Sequence, residues 1–458
     1  MPSRSIILSP RKGNVSITAI NCGGSTPRLG GVVDVSDFPN LTSFSCNNNN
    51  ITAISGYSEN SNLEVLSFID NLLVDNLPDL SGMTNLRDFR YNRNQISGPI
   101  PPSLNALTSL QIYIGHNNAH TGSIPSLNNL TNLQQFFCDL NNLTGTIPAL
   151  NNNINLQDFR CHSQKGSIKL TGNIPNLTAN TLLQRFYCYA NQLSGPIPSL
   201  TGLTALRDFD CGNNALTFIP SLTGLTALQN FDCGNNELSN TIPSLTGLTA
   251  LQNFNCGGNQ LTGSIPSLTG LNNLLGFYCY NNALSNFAGG SVSNKLGDFQ
   301  AQNNLLPASA VDSILAAFVA ANKTTGTRVL NLHGTGNAAP TNTGVIKTSL
   351  AGSAFSRVDT TVTVTTAPLV LGFTIASGDY ITITDITEPD FQGTFSITKI
   401  DDTTFTYTTV SSGALTGSGT ATLRQTSTGN TSGFRNYQNL ALVSRTGGAW
   451  SVNINFPA

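Results

Sequence analysis

Apolar and polar positions alternate in short blocks that recur along the first two thirds of the chain, in the pattern LxxFxCxxNxL. The alternation predicts a short β-strand with one buried face, because successive side chains of a strand point to opposite sides. Copies follow one another every 22 to 24 residues, with one longer step after Leu156. This period predicts stacked coils, each made of a strand and a return segment. The copies begin at Ile17, Leu41, Leu63, Leu86, Leu110, Leu133, Leu156, Leu183, Leu206, Leu228, Leu251, Leu274 and Leu296.

The return segments have a pattern of their own, as in ISGPIPPSL (96–104), LTGTIPAL (143–150) and LSGPIPSL (193–200). Together with the period, they resemble the LxGxIPxxL segment of plant-type leucine-rich repeats. The resemblance implies an α/β repeat solenoid, right-handed, with a parallel β-sheet on the concave face and a short second strand in each coil. Only the segment at 96–104 has the family's full residue count after its proline. Near-identical copies at 221–231 and 244–254 are more similar to bacterial and phage chains than to a plant receptor.

An asparagine occupies the turn after most of the predicted strands. Its side-chain amide is expected to hydrogen-bond backbone groups that a buried turn leaves without partners. The column consists of Asn49, Asn71, Asn94, Asn118, Asn141, Asn191, Asn214, Asn236, Asn259, Asn282 and Asn304.

The 9 cysteines each lie two residues after the aromatic or isoleucine position and form a column. Phe68, Tyr91, Gly115 and Ala301 fill that position in other coils, which favours a packing role for the column. Neighbouring strands lie about 4.8 Å apart, within the Cα distance that a disulfide bridges. Disulfides and a zinc site therefore stay open as alternatives, although an odd count of cysteines in a line suits neither well.

The repeat pattern ends after Asn304. A helix is predicted next, with Ser309 and Asp312 as its capping signal, followed by a strand over 328–333. A second helix and a closing strand from Trp450 to Phe456 complete the predicted cap. The apolar face of the first helix consists of Val311, Ile314, Leu315, Phe318 and Val319.

Segments such as TTVTVTT, GDYITITDI, GTFSITKI, DDTTFTYTTV and GTATLRQ predict a small all-β module of about five or six strands. Its FxGTFxIT and DDTTFTYT runs resemble β modules of tailed-phage structural proteins. The predicted division is 1–40 (N-terminal cap and degenerate first repeat), 41–306 (leucine-rich repeats), 307–356 (helical cap and last coil), 357–424 (inserted all-β module) and 425–458 (closing helix and strand).

Composition narrows the expected function. Charged residues make up 10% of the chain and the formal net charge is -2, so no basic stripe favours nucleic acid. No run of about 18 apolar residues predicts membrane insertion, and the N-terminal segment lacks the pattern of a secretory signal. Paired catalytic acids, GxSxG, a phosphate loop and HExxH are all missing, which predicts a non-enzymatic protein without cofactor or metal.

The histidines change this picture little. His120 falls at a core position of its coil, while His116 and His162 are expected to point outward from the sheet. Two histidines two coils apart do not predict a metal site without carboxylates beside them. His333 is expected at the end of a strand.

The predicted ligand surface is the concave sheet face, formed by residues on either side of the inward Phe and Cys. Its central coils carry aromatic and planar polar side chains, which are able to stack on sugars or anchor a protein loop. The alternative, given equal weight, is that these large side chains are scattered surface residues without a binding role. The following coils present mainly Asp, Asn and Gly. The candidate residues are Ile114, His116, Phe137, Asp139, Arg160, His162, Arg185, Tyr187, Tyr189, Tyr278 and Tyr280.

These expectations favour a virion-associated structural or adhesion protein of a tailed phage, on tail fibre or capsid, assembled in the bacterial host cytoplasm. Its expected partners are other virion proteins and a host-surface glycan or protein. One alternative is a leucine-rich repeat adhesin of the bacterial cell surface. The other is an intracellular protein-interaction scaffold that binds a peptide along the same face.

Overall fold

A computed structural model describes residues 17–24, 26–321, 328–332 and 336–337, together with the backbone of the strands given below between 349 and 453. The chain divides into two compact units, Met1–Leu261 and Thr262–Ala458. The strands of the first unit are β1 (Ala19–Asn21), β2 (Gly30–Asp34), β3 (Ser43–Ser45), β4 (Asn50–Ser55), β5 (Val65–Ser67), β6 (Asp88–Arg90), β7 (Ile112–Ile114), β8 (Gln135–Phe137), β9 (Gly145–Thr146), β10 (Asp158–Arg160), β11 (Leu170–Gly172), β12 (Arg185–Tyr187), β13 (Gln192–Pro196), β14 (Asp208–Asp210), β15 (Ala215–Phe218), β16 (Asn230–Asp232) and β17 (Asn253–Asn255). A single turn of 3-10 helix covers Pro102–Ala106.

The long sheet of the first unit is parallel, in the order β1-β3-β5-β6-β7-β8-β10-β12-β14-β16-β17, and confirms the predicted repeat solenoid. Its register aligns equivalent residues, so that Phe159 pairs with Phe136 on one side and with Phe186 on the other. These inward rings stack nearly parallel as far as Phe254, with centroids 5.3 to 5.6 Å apart. The core is therefore a stack of like residues, one layer from each coil.

Short strands in the return segments build a second parallel sheet, in the order β15-β13-β11-β9, and β2 pairs with β4. The expected second strand is thus present in these coils. The glycine of the LxGxIP segment enters a left-handed backbone conformation, with φ of 75° at Gly145 and 72° at Gly195. A Cβ at Gly195 would lie 2.6 Å from Asn173 Oδ1, so any other residue would also force the Asn173 side chain to move.

The asparagine column hydrogen-bonds the backbone as predicted. Asn141 Nδ2 donates to the carbonyls of Cys138 and Gly115, at 3.1 Å each, and its Oδ1 accepts from the His120 amide at 3.0 Å. The preceding residue, Leu140, has a φ of 55°, the left-handed conformation that turns the chain away from the strand. Each asparagine therefore joins two coils and satisfies buried backbone groups.

The cysteine column is a packing column. All nine cysteines lie within the described residues and none is in a disulfide, and all except Cys22 are buried. Burial raises the pKa of Cys138 and Cys161, which keeps their thiols protonated. The Cys233 Sγ donates weakly to the Asn255 carbonyl at 3.4 Å.

His120 occupies a core position, as expected, and it is fully buried. Its Nε2 lies 3.0 Å from Tyr91 Oη, and its Nδ1 lies 3.1 Å from the Gly98 carbonyl. Tyr91 Oη also hydrogen-bonds Tyr113 Oη. The three side chains satisfy one another within the core, a buried polar chain that the sequence pattern did not indicate.

The second unit contains β18 (Thr262–Ile265), β19 (Gly276–Tyr278), β20 (Ala283–Phe287), β21 (Asp298–Gln300), α1 (Ala308–Ala320), β22 (Arg328–Asn331), β23 (Ser349–Val358), β24 (Thr361–Thr365), β25 (Tyr380–Ile383), β26 (Gly393–Lys399), β27 (Thr404–Thr408), β28 (Leu415–Thr422) and β29 (Trp450–Asn453). Strands β19-β21-β22-β29 run parallel in that order, and β18 pairs with β20. Strands β23-β24-β27-β26-β25-β28 close into an antiparallel barrel. The predicted segments TTVTVTT, GDYITITDI, GTFSITKI and DDTTFTYTTV contain β24 to β27, GTATLRQ overlaps only the end of β28, and β23 was not predicted. The division of the chain into domains stays a prediction.

The helix α1 buries Val311, Ile314, Leu315 and Phe318, as its apolar periodicity predicted. The predicted capping signal is wrong: α1 begins at Ala308, so Ser309 lies inside the first turn. The first helical hydrogen bond runs from the Val311 amide to the Pro307 carbonyl, so the proline precedes the helix. Among the described residues no helix is long and apolar enough to cross a bilayer. His333, the predicted second helix and residues 1–16 lie outside the described residues.

Candidate functional site

The outward residues of the long sheet in the first unit form two columns, and residues just beyond the strands form a third. We call these three columns the sheet face. In the middle column Phe137, Arg160, Tyr187, Asp210 and Asp232 are register neighbours on successive strands. Equivalent positions lie about 4.8 Å apart, so side chains of neighbouring coils touch. The third column, two residues after each of these, consists of Asp139, His162, Tyr189, Gly212 and Gly234.

Arg160 is the most constrained cation of this surface. Its guanidinium carbon lies 4.2 Å from the ring centroid of Phe137 and 5.3 Å from that of Tyr187. Its Nε and Nη2 donate to both oxygens of Asp158, at 2.9 and 2.7 Å. The hydrogen bonds that Arg160 donates to Asp158 raise the pKa of Arg160. The arginine stack, Phe137–Arg160–Tyr187, is therefore fixed by two rings and a bidentate carboxylate.

The first outward column continues this network. Arg185 lies between two carboxylates, 3.5 Å from Asp158 Oδ2 and 3.4 Å from Asp208 Oδ2. Asn230 Nδ2 then donates to Asp208 Oδ1 at 2.5 Å, and Asn253 Nδ2 donates to Asn230 Oδ1 at 2.8 Å. The charges and amides of this column are thus paired with one another from coil to coil.

His116, Asp139 and His162 meet on three successive coils and form what we call the imidazole cluster. Asp139 Oδ2 lies 3.5 Å from His162 Nε2 and 4.0 Å from His116 Nδ1. His162 also stacks on Tyr189, with centroids 4.2 Å apart. Asp139 Oδ1 and the Nδ1 atoms of both histidines are buried without a hydrogen-bond partner. Within the described part of the chain, no three His, Cys, Asp or Glu residues are arranged to hold a metal ion.

Burial sets the charge state of this cluster. Desolvation raises the pKa of Asp139 to about 6 and lowers that of His162 to about 4. Desolvation, together with Arg93 and Arg160, also lowers the pKa of His116. Both imidazoles are therefore neutral near pH 7, and their contacts with Asp139 are not ion pairs there.

The sheet face becomes acidic in the next two coils. Asp210 Oδ1 accepts from the Gly212 amide at 3.1 Å, and Asp232 Oδ1 accepts from the Gly234 amide at 2.9 Å. Asn255 Nδ2 donates to both oxygens of Asp232, at 3.1 and 3.0 Å. Burial and the charge of Asp232 raise the pKa of Asp210 to about 7. We call Asp210 and Asp232 the acidic pair.

The structure brings most of the sequence-predicted site residues together. Ile114 is an exception, because it is only 8% exposed between Arg90 and Phe137, which are longer side chains. Tyr278 and Tyr280 belong to the second unit, where burial and Asp298 raise the pKa of Tyr278 to about 12. The predicted candidates that lie together on the sheet face of the first unit are His116, Phe137, Asp139, Arg160, His162, Arg185, Tyr187 and Tyr189.

The contacts that fix the arginine side chains of the sheet face were not predicted from the sequence. Asp158 is the common partner of Arg160 and Arg185, yet it was not among the candidates. The signal was available, because Asp158 lies two residues before Arg160 on the same strand face. The pairing of Asp210 with Asp232 was likewise visible as a repeated Asp before Cys-Gly.

No protein-family model and no curated protein sequence matches this chain. Solved structures are similar in fold. The PEPR1–AtPEP1 complex gives a TM-score of 0.59 at 25% identity, covering 71% of this chain and 46% of that one. The leucine-rich repeat ectodomain of GASSHO1/SCHENGEN3 from Arabidopsis thaliana, in complex with CASPARIAN STRIP INTEGRITY FACTOR 2, gives 0.54 at 25% identity, covering 71% and 45%. The plant peptide hormone receptor RGFR1 in complex with RGF2 gives 0.56 at 23% identity, covering 67% and 50%.

The chain thus spans about half the length of these receptors or less. Their likeness establishes the leucine-rich repeat solenoid fold.

Proposed function

We propose that this leucine-rich repeat solenoid is a non-enzymatic protein-binding platform whose ligand contacts the sheet face at the arginine stack. A similar solved structure supports the proposal, since it is a leucine-rich repeat ectodomain in complex with CASPARIAN STRIP INTEGRITY FACTOR 2. The solenoid also suits such a role physically, because repeated coils present side chains at constant spacing on one extended surface.

The observation that carries the proposal is the arginine stack itself. Arg and Tyr side chains dominate the energetics of many protein interfaces. Here Arg160 is held on both faces and by two hydrogen bonds to Asp158, so its side chain is ordered before a ligand arrives. Binding then costs little additional conformational entropy at this residue.

A peptide-display selection on the full chain tests the platform. Displayed peptides of about 12 residues reach about 40 Å when extended, enough to cross several coils. We expect selected peptides to lose at least about tenfold in affinity, roughly 1.4 kcal/mol, on the double variant Tyr187→Ala/Tyr189→Ala. Thermal unfolding should change less than for a core substitution, because both rings are only partly buried and lie outside the inward Phe layer.

Phe218→Ala is the matched control, since Phe218 is an exposed aromatic residue on β15, outside the sheet face. Binding should be unchanged in this variant. Failure to select any peptide that depends on Tyr187 and Tyr189 would remove the sheet face as the ligand surface.

We further propose the setting that the sequence favours, a tailed-phage virion in which the platform binds other virion proteins or a host-surface glycan or protein. Support comes from the likeness of the FQGTFSIT and DDTTFTYT runs to phage structural modules. A bacterial leucine-rich repeat protein of the cell surface fits the fold equally well. Mass spectrometry of gradient-purified virions separates the two settings: a fixed copy number per particle supports the first, and recovery only from cell-envelope or culture-supernatant fractions supports the second.

A further inference from the structure

The sheet face changes character from one group of coils to the next. From Phe137 to Tyr189 it carries half-exposed rings, and Arg160 and Arg185 are both paired with carboxylates. The middle column then changes from Tyr187 to the acidic pair. Among the residues that the structure describes, neither member of the acidic pair has an ion-pair partner. A region whose arginines are paired with carboxylates is therefore followed directly by two carboxylates that have no ion-pair partner in the described part of the chain.

The geometry of the acidic pair indicates that a positively charged group is missing, because Asp210 and Asp232 are register neighbours on adjacent strands about 4.8 Å apart. The charge of Asp232 helps to hold the pKa of Asp210 near 7, so the two carboxylates repel each other when both are ionised.

Register gives the spacing between the two regions. Tyr187 is the register neighbour of Asp210, and Asp210 is the register neighbour of Asp232. Two steps between parallel strands amount to about 9.6 Å, which an extended peptide covers in about three residues. A ligand that crosses the strands therefore meets the rings and the acidic pair at positions about three residues apart.

We infer that the ligand of the sheet face is an extended peptide segment with a bulky apolar residue followed, about three residues later, by lysine or arginine. The apolar residue lies on Tyr187 and Tyr189, and the basic side chain neutralises the acidic pair. This inference rests on the proposed function and names the chemistry of its ligand. A neutral glycan would leave the repulsion between the two carboxylates in place, and an acidic ligand would increase it.

The variant Asp210→Asn/Asp232→Asn in the full chain tests the inference. Asn255 already occupies the next position of the same column, so an asparagine amide fits there. The probes are peptides recovered by display selection on the wild-type chain, measured by fluorescence anisotropy. We expect the selected pool to contain the apolar and basic spacing. Its affinity should fall about tenfold in the double variant, and in the wild type it should weaken as salt rises from about 50 to 200 mM.

Glu237→Gln is the matched control, because it neutralises an exposed carboxylate beyond the asparagine turn of the same coil, and it should leave affinity unchanged. Peptides that need Tyr187 but carry no basic residue, or that bind the double variant equally well, would overturn the inference and leave the platform intact. A pool without any dependence on the sheet face overturns both proposals. Binding of a neutral glycan on an array, lost in Tyr187→Ala, would also overturn the inference.

Discussion

Two buried groups of the imidazole cluster titrate in the same pH range with opposite effects on stability. The pKa of Asp139 rises from its ordinary 3.8 to about 6, and that of His162 falls from 6.5 to about 4. Desolvation is the largest cause of both shifts. Neither residue is among the causes of the other's shift, which include Arg160, Asp158 and His116. Each shift is therefore expected to survive when the other residue is replaced.

The two signs follow from linkage. The raised pKa of Asp139 contributes stability that is complete below about pH 4 and is lost as the pH rises through about 6. The lowered pKa of His162 contributes stability that is complete above about pH 6.5 and is lost as the pH falls through about 4. Each shift of about two pKa units corresponds to about 3 kcal/mol. Between about pH 4 and 6 the two pH dependences cancel and the sum of the contributions stays constant, since folding moves one proton from the imidazole to the carboxyl group.

The variants Asp139→Asn and His162→Gln separate the two contributions. Relative to the wild type, the free energy of unfolding of Asp139→Asn should fall by about 3 kcal/mol between about pH 7 and pH 4. That of His162→Gln should rise by a similar amount, and the double variant should follow the wild-type profile. Urea denaturation followed by circular dichroism measures all four chains. Single variants whose differences from wild type stay constant with pH, or shift in the same direction, would refute the opposed titration.

Three further predictions concern the repeat architecture. Replacing Asn141 with Ala should lower the free energy of unfolding by about 3 kcal/mol in urea denaturation, because it removes buried hydrogen bonds to two coils; Asn142→Ala, at a partly exposed neighbour, should cost far less. Tyr91→Phe should cost about 1 to 3 kcal/mol by the same measurement, because it leaves His120 Nε2 and Tyr113 Oη without their partner; a loss under about 0.5 kcal/mol would argue against the buried chain. In a thiol-reagent assay the folded chain should expose Cys22 alone to rapid reaction, and all 9 cysteines should react after denaturation without reductant; fewer reactive thiols would indicate disulfides.

The columns of the solenoid were predictable because the repeat period and the strand alternation act together. Once the spacing between Leu133 and Leu156 is known, Phe136 must pair with Phe159, and Asn141 must follow the strand in the turn. The same logic placed His116 and His162 on the outward side.

Partners between coils were harder to predict, because they depend on which rotamer a long side chain adopts. Asp139 was expected on the same face as His116 and His162, but the position of its carboxyl group beside both imidazoles was not predicted. The sequence analysis also missed Gln164, which replaces the turn asparagine and donates to the Cys161 carbonyl at 3.0 Å. Gln164 lies three residues after Cys161, as Asn141 lies three residues after Cys138, and its longer side chain reaches the equivalent carbonyl, which a rule based on asparagine alone does not anticipate.

A second asparagine ladder went unrecognised on the return side of the coils. Asn153 Nδ2 donates to the Leu127 and Leu130 carbonyls at 2.9 Å each, and Asn180 Nδ2 donates to the Leu150 and Asn153 carbonyls. Only some coils carry this residue, so it has too few copies to stand out as a column in the sequence.

The matching register of β14, β16 and β17 bears on how this protein changes over generations. Each of these coils contacts its neighbours through the same Phe layer, at 5.6 Å between ring centroids. A duplicated or deleted copy of the 221–231 type therefore finds a ready-made neighbour on both sides. Such an event lengthens or shortens the run of Asp and Asn residues by one step and leaves Arg160 and its rings untouched. Unequal recombination between the near-identical repeats can thus change the length of the Asp and Asn part of the sheet face in a single generation, while the arginine stack stays the same.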